Sequence, residues 1–285
     1  MSDATLVPPV EPRRRRRRAP ITLVAGAVLL SAVLVTAALS FVALPYPPDA
    51  IGGGRLVPPS PAHWLGTDTL GRDLLSQLMV GARIALAAGG GSVLLGGVLG
   101  VVLGVAAAFA QRWLDAGLAV VLDILIAFPT LLLAMLVVAA RGASLASAVL
   151  AIGLAMSAVV ARLTRILGKR VLGEQYVTAA RTSGTGWAGV IVRHLLPNIW
   201  PTLVVNLALQ FGLAVLAEAS LAFLGLGAPP PDASWGRLLQ QAQSTVYTAP
   251  LGAIAPGVAL VVLVLGANLL ADGLRDALDP TRGRA

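Results

Sequence analysis

No cysteine occurs anywhere in the 285 residues, which excludes disulfides, thiolate metal sites and cysteine nucleophiles. Charge is also scarce: 12% of the residues are charged against 57% apolar, and the mean hydropathy is +0.84. No ordinary soluble domain has this balance, so the chain reads as a polytopic membrane protein. Lysine is nearly missing, with Lys169 the single case, and the isoelectric point of 11.3 comes from arginine. No G-x-x-x-x-G-K-[ST] run is present, so nucleotide must be handled by another subunit if it is used at all. The apolar runs contain no histidine either, and paired catalytic groups inside the membrane are not expected.

What the chain does have is a series of long uncharged stretches. Residues 1–20 form a Pro-rich polar tail ending in six consecutive arginines, Arg13 to Arg18. Such a run can bind nucleic acid or anionic lipid, or it can simply hold the N-terminus in the cytosol. The uncharged residues 21–44 directly after it favour the last role, and no nucleic-acid partner is expected. That stretch is long enough to cross a hydrocarbon core of roughly 30 Å, and it exceeds the ~7–15 apolar residues of a cleavable signal.

Residues 45–83 are polar and rich in Pro and Gly. There Thr67 or Asp68 is placed to cap a short amphipathic helix through Leu70, Leu74, Leu75 and Leu78, lying along the membrane surface. His63, Asp68 and Asp73 read as solvated side chains rather than metal ligands. Five further spans are predicted at 84–110, 116–140, 142–161, 199–224 and 249–271, with 272–285 a polar end. Gly89, Gly90, Gly91, Gly96, Gly97 and Gly100 suit close helix approach in lipid. Pro129 predicts a kink in the third span. In the loop 225–248, Pro229 to Pro231 forbid helix, and Trp235, an interface-seeking aromatic, would lay the loop against the bilayer.

Polar groups inside the spans are few and therefore informative. Asp123 either touches cargo or a proton path, or pairs with a basic loop residue near the surface. Asn206, Gln210 and Glu218 recur at helical spacing on one face. They line a translocation path or gate, or they act as interhelical glue.

The chain is organised around the loop 162–198, and above all around GEQYVTAARTSGTGWAGVIVRHLLPN from Gly173 to Asn198. It is too polar for lipid and sits between spans. Its pattern is a short helix, a break at Gly184 and Gly186, and a second short amphipathic helix ending at Pro197. Arg181, Arg193 and His194 suit a cytosolic surface that grips another protein.

Within this stretch Ala179, Ala180, Gly184, Leu196 and Pro197 resemble the "EAA" loop of permease subunits of binding-protein-dependent ABC importers. The wording around them looks like the C-type permease of the dipeptide, oligopeptide and nickel branch. GTDTLGRDLLSQLMVGARIAL, LDILIAFP at Asp123, EASLAFLGLGAPPPDASWGRLL from Glu218 and the end from Asp272 are similar phrases, and together they cover roughly Trp64 to Arg282. Two departures are Ala85, where the branch often has Ser, and Thr178, where it has an acid.

The resemblance implies an all-α protein with six transmembrane helices in the type I ABC importer permease fold. It implies that the loop carrying Thr178, Ala179, Ala180, Gly184, Arg193, His194, Leu196 and Pro197 docks into an ATPase. The partners would be a homologous B-type permease, two ATPase subunits, an extracytoplasmic binding protein and membrane lipid. No cofactor is expected in this chain, ATP and Mg belonging to the ATPases. The cargo would be di- or oligopeptides, the alternatives being nickel, haem or another small solute.

Charge placement agrees without reference to any family. Of the 21 lysines and arginines, sixteen fall on the assigned inside, and only Arg55, Arg72, Arg83, Arg141 and Arg237 on the outside. That is the positive-inside pattern of an inner-membrane protein with both termini cytosolic. An ion-coupled secondary transporter using Asp123 and Glu218 is the remaining alternative.

Overall fold

Glycine spacing decides how these helices meet. The computed structural model describes residues 21–229 and 232–278; Arg13 to Arg18, two of the three prolines at 229–231 and the residues from Asp279 onward lie outside them. In lipid, packing rather than water expulsion drives association, so small residues mark the seams. α2 (Leu74–Ala108) carries Gly96, Gly100 and Gly104 four residues apart, and this face packs on α5 (Leu145–Leu172). A Cβ at Gly100 would stand 2.5 Å from the Cβ of Val160 and 2.8 Å from the Ser157 carbonyl oxygen. The two backbones therefore approach too closely there for any side chain beyond glycine. α1 (Ile21–Leu39) lies along α10 (Leu251–Leu278) in the same way, with Gly26 against the Leu270 backbone. α8 (Leu196–Phe223) packs on α2, α5 and α10 and closes the bundle.

Among the described residues five helices are long and apolar enough to cross a membrane, or six if one bent pair counts as a single span. Among the described residues the chain is all helix and loop, with no strand beyond an isolated bridge between Thr67 and Asp73. The bent pair is α3 (Arg112–Ala127) and α4 (Thr130–Arg141), which meet at 86°. Phe128 and Pro129 form the break: both are extended, because proline disfavours the helical region for the residue before it and lacks the N–H that would continue the ladder. The third span thus exists as two pieces. The helix of the first begins at Arg112, four residues ahead of the apolar run expected from 116.

Other boundaries differ as well. The surface helix expected over Leu70–Leu78 is not separate: its residues from Leu74 on are the first turns of α2, which runs through Arg83 without interruption. Arg83 stays inside a long helix because its guanidinium stacks on the Phe41 ring, 3.7 Å from the centroid. The cap is Asp73, not Thr67 or Asp68: its side chain accepts from Ser76 N at 2.8 Å. α5 continues past Ala161 to Leu172, and the fourth span therefore projects beyond the apolar run.

Two expectations at the end opposite residues 173–198 are corrected. His63 and Asp73 are not solvated: His63 Nδ1 lies 2.9 Å from Asp73 Oδ1, and Asp73 is buried. The loop 225–248 is not a strip along the bilayer, because it contains α9 (Trp235–Ala242) and Trp235 is buried in the bundle. Gly81 makes room for that ring, since a Cβ there would come within 2.5 Å of Trp235 Cδ1. An amphipathic aromatic seeks an interface only when no buried partner is offered, and here the Leu78 carbonyl accepts its N–H.

Candidate functional site

The hairpin between α5 and α8 is built from α6 (Gln175–Thr182), α7 (Trp187–Val190) and a π-helical segment, Ile191–Leu195, that runs on into α8. α6 stops where the chain turns through Gly184, at φ +87°, a left-handed conformation that glycine adopts without strain. Thr185 N returns to the Ala180 carbonyl at 3.0 Å and Gly184 N to the Arg181 carbonyl at 3.1 Å, which seals the turn. The second helix does not end at Pro197. Proline in the first turn of α8 gives up an N–H that would have had only a marginal partner, so the hairpin and the span form one continuous rod.

The hairpin has two unlike sides. Val177, Val190 and Leu195 are buried with Val160 and Val171 of α5 and Ile199 and Leu203 of α8. Thr178, Ala179, Gly184 and Arg193 are exposed on the other side, and Leu196 and His194 sit between. The His194 ring faces Tyr176 at 6.0 Å between centroids. Arg181 lies over Trp187 at 4.0 Å and donates to the Thr185 carbonyl, and Trp187 meets Phe109 edge to face at 5.2 Å. An outer surface of small residues is thereby held by a rigid apolar root in two long helices.

Next to the root, α3 and α5 are tied by ion pairs. Arg162 Nη1 reaches Asp123 Oδ1 at 3.0 Å, and both side chains are about half exposed. Asp115, which precedes the apolar run of the third span, takes Arg165 Nε at 2.6 Å and also pairs with Lys169. Hydrogen bonds from Arg165 first, then from Lys169, hold its carboxyl down at about 2. The pattern is visible in the sequence: Asp115 and Asp123 are eight residues apart, and Arg162, Arg165 and Lys169 follow at three and four. Without their acidic partners the bases read only as markers of a helix end.

The three polar residues of α8 do not form one cluster of bonded groups. Gln210 and Glu218 are buried, Asn206 is half-buried, and Asn206 Oδ1 and Glu218 Oε1 have no hydrogen-bond partner among the described residues. Glu218 lies beside Ser234, the N-cap of α9. A cavity of about 410 Å³ at the end opposite the hairpin is lined by others, including Val57, Pro58, Leu65, Leu238 and Pro250. Among the described residues no group of three His, Cys, Asp or Glu side chains has the geometry to hold a metal ion.

Known proteins share this architecture. The family model described as "Binding-protein-dependent transport system inner membrane component" matches residues 100–284. A glutathione transport system permease protein, GsiD of Pectobacterium atrosepticum, is 44% identical over 224 residues, which is 78% of this chain and 74% of that one. The dipeptide transport system permease protein DppC of Alkalihalophilus pseudofirmus is 39% identical over 226 residues, 79% of this chain and 74% of that one. Among solved structures, an inward-facing form of the MetNI methionine ABC transporter superposes with TM-score 0.58 at 21% identity. The match covers 71% of this chain and 96% of the other, and it speaks for the fold alone.

Proposed function

Since the chain belongs to the inner membrane components of binding-protein-dependent transport systems and is a permease subunit of an ABC importer, we propose that its cargo is a di- or oligopeptide. The names of the relatives support this cargo over nickel, haem or another small solute: one is named for dipeptides and one for glutathione, itself a short peptide. The proposed assembly pairs this chain with a B-type permease, two ATPase subunits that hold ATP and Mg, and an extracytoplasmic binding protein. The assignment of sixteen of the 21 basic residues to the hairpin side supports a cytosolic hairpin and cytosolic termini.

The observation that carries the reading is the two-sided hairpin. Its small, exposed face around Thr178, Ala179 and Gly184, with Ala180 half-buried beside them, can enter a groove on an ATPase, while its apolar root is continuous with α5 and α8. Closure of the ATPases on ATP would displace the root as a rigid body and, through α8, move Asn206, Gln210 and Glu218. Thr178, where the resemblance implies an acid, leaves the contact to shape and to Arg193.

Affinity purification of the full chain from its own host, wild type beside Gly184→Asp, tests this. The substitution has open space around it but forces an L side chain into φ +87°. Co-purifying ATPase and second permease with the wild type, reduced at least several-fold by the substitution, is the expected result. A wild type that purifies without ATPase would move the reading to ion-coupled transport through Asp123 and Glu218.

A further inference from the structure

A groove of about 690 Å³ runs between the end of α2 and the junction of α7 with α8, lined by apolar side chains that include Val101, Val105, Phe109, Trp187, Ile191 and Leu196. Val101 and Val105 belong to the last turns of the second apolar run, so the groove opens onto hydrocarbon near one face of the membrane. Water does not fill such a surface. A polypeptide strand cannot fill it either without leaving its backbone N–H and C=O groups unsatisfied in lipid. An acyl chain has no such groups.

The rim of the groove is cationic and aromatic. Trp187, half exposed, stands over the groove with its ring braced edge-on by Phe109, and the Arg181 guanidinium lies on its face at 4.0 Å. One Arg181 nitrogen donates to the Thr185 carbonyl at 2.9 Å, which fixes the side chain while its other N–H groups remain for an external acceptor. The widened π turn at Ile191–Leu195 sits between the lining residues Ile191 and Leu196 and spreads the wall there.

We propose that this groove holds an acyl chain of an anionic phospholipid whose phosphate is bound by Arg181 beside Trp187. The lipid would fill the seam between α2 and the hairpin root, so that membrane charge bears on the element that moves in transport. The lipid site itself rests on the membrane-spanning reading; its bearing on transport rests on the proposed function.

Native mass spectrometry of the full chain, taken from vesicles of phosphatidylcholine and phosphatidylglycerol in equal amounts, tests it. The wild type is expected to retain phosphatidylglycerol over phosphatidylcholine by about fivefold, the size of one basic contact at a lipid surface. Arg181→Gln, in the exposed last turn of α6, should bring that ratio to about one, and Val105→Trp, which fills the groove, should lower retention of both lipids. The proposal is overturned if the wild type shows no preference, if Arg181→Gln keeps it, or if Val105→Trp retains lipid as before. A melting temperature shared by wild type and both variants separates loss of the site from loss of fold.

Discussion

The indole N–H of Trp235 donates to the carbonyl of Leu78 at 2.9 Å, joining α9 to α2 across 157 residues of chain. The bond takes a carbonyl on a helix whose neighbouring turn has Gly81 in place of a side chain, and the ring occupies the space so left. It anchors the loop 225–248 to the first turns of α2.

Trp235→Ala should therefore cost about 3 kcal/mol or more, the usual range for emptying a large buried ring site. Trp235→Phe should cost about 1 kcal/mol, mainly the lost hydrogen bond. Thermal unfolding in detergent, followed by far-ultraviolet circular dichroism, gives both.

The α2–α5 seam should be intolerant of volume. Gly100→Leu places carbon where the Val160 Cβ and the Ser157 carbonyl already lie, and should destabilise by about 1–3 kcal/mol or more as the helices separate. Gly90→Leu, in open space on the same helix, should leave the melting temperature within experimental scatter.

Asp115 gives a pH prediction. Its carboxyl is held at about 2 by Arg165 and Lys169, below an ordinary value of 3.8. A depressed folded-state value means the ionised pair stabilises the protein fully above about pH 4–5, and that the contribution is lost as pH falls toward 2. The gap in melting temperature between wild type and Asp115→Asn should be constant from about pH 5 to 8 and shrink below about pH 4.

Asp123 separates the two transport mechanisms. Its pair with Arg162 is half exposed on both sides, so Asp123→Asn should change stability by less than about 1 kcal/mol and leave peptide uptake within about twofold. Loss of uptake with retained expression would instead make Asp123 part of an ion path.

Much of this is readable from sequence, for reasons that can be named. The hairpin announces itself because Gly184 and Gly186 break an apolar period that resumes at Trp187. Pro129 marks a bend, although nothing local sets its angle at 86°. What escapes is nonlocal. Arg83 reads as a membrane boundary until its contact with Phe41, far away in the chain, is known. Trp235 reads as an interfacial aromatic because the gap at Gly81 that accepts it lies several helices away in sequence. Pro197 reads as a stop, yet the π turn before it puts the proline in a first helical turn where it is tolerated.

The absence of native cysteine allows the central claim to be tested in one measurement. Two single-cysteine variants, Ala180→Cys on the hairpin and Thr69→Cys at the opposite end, are compared for cross-linking in membranes from the native host. The account predicts an adduct between the Ala180→Cys variant and an ATPase subunit, with a yield that changes with ATP, and no ATPase adduct from Thr69→Cys. It is contradicted if neither variant captures an ATPase while peptide uptake continues and collapses on dissipation of the proton gradient.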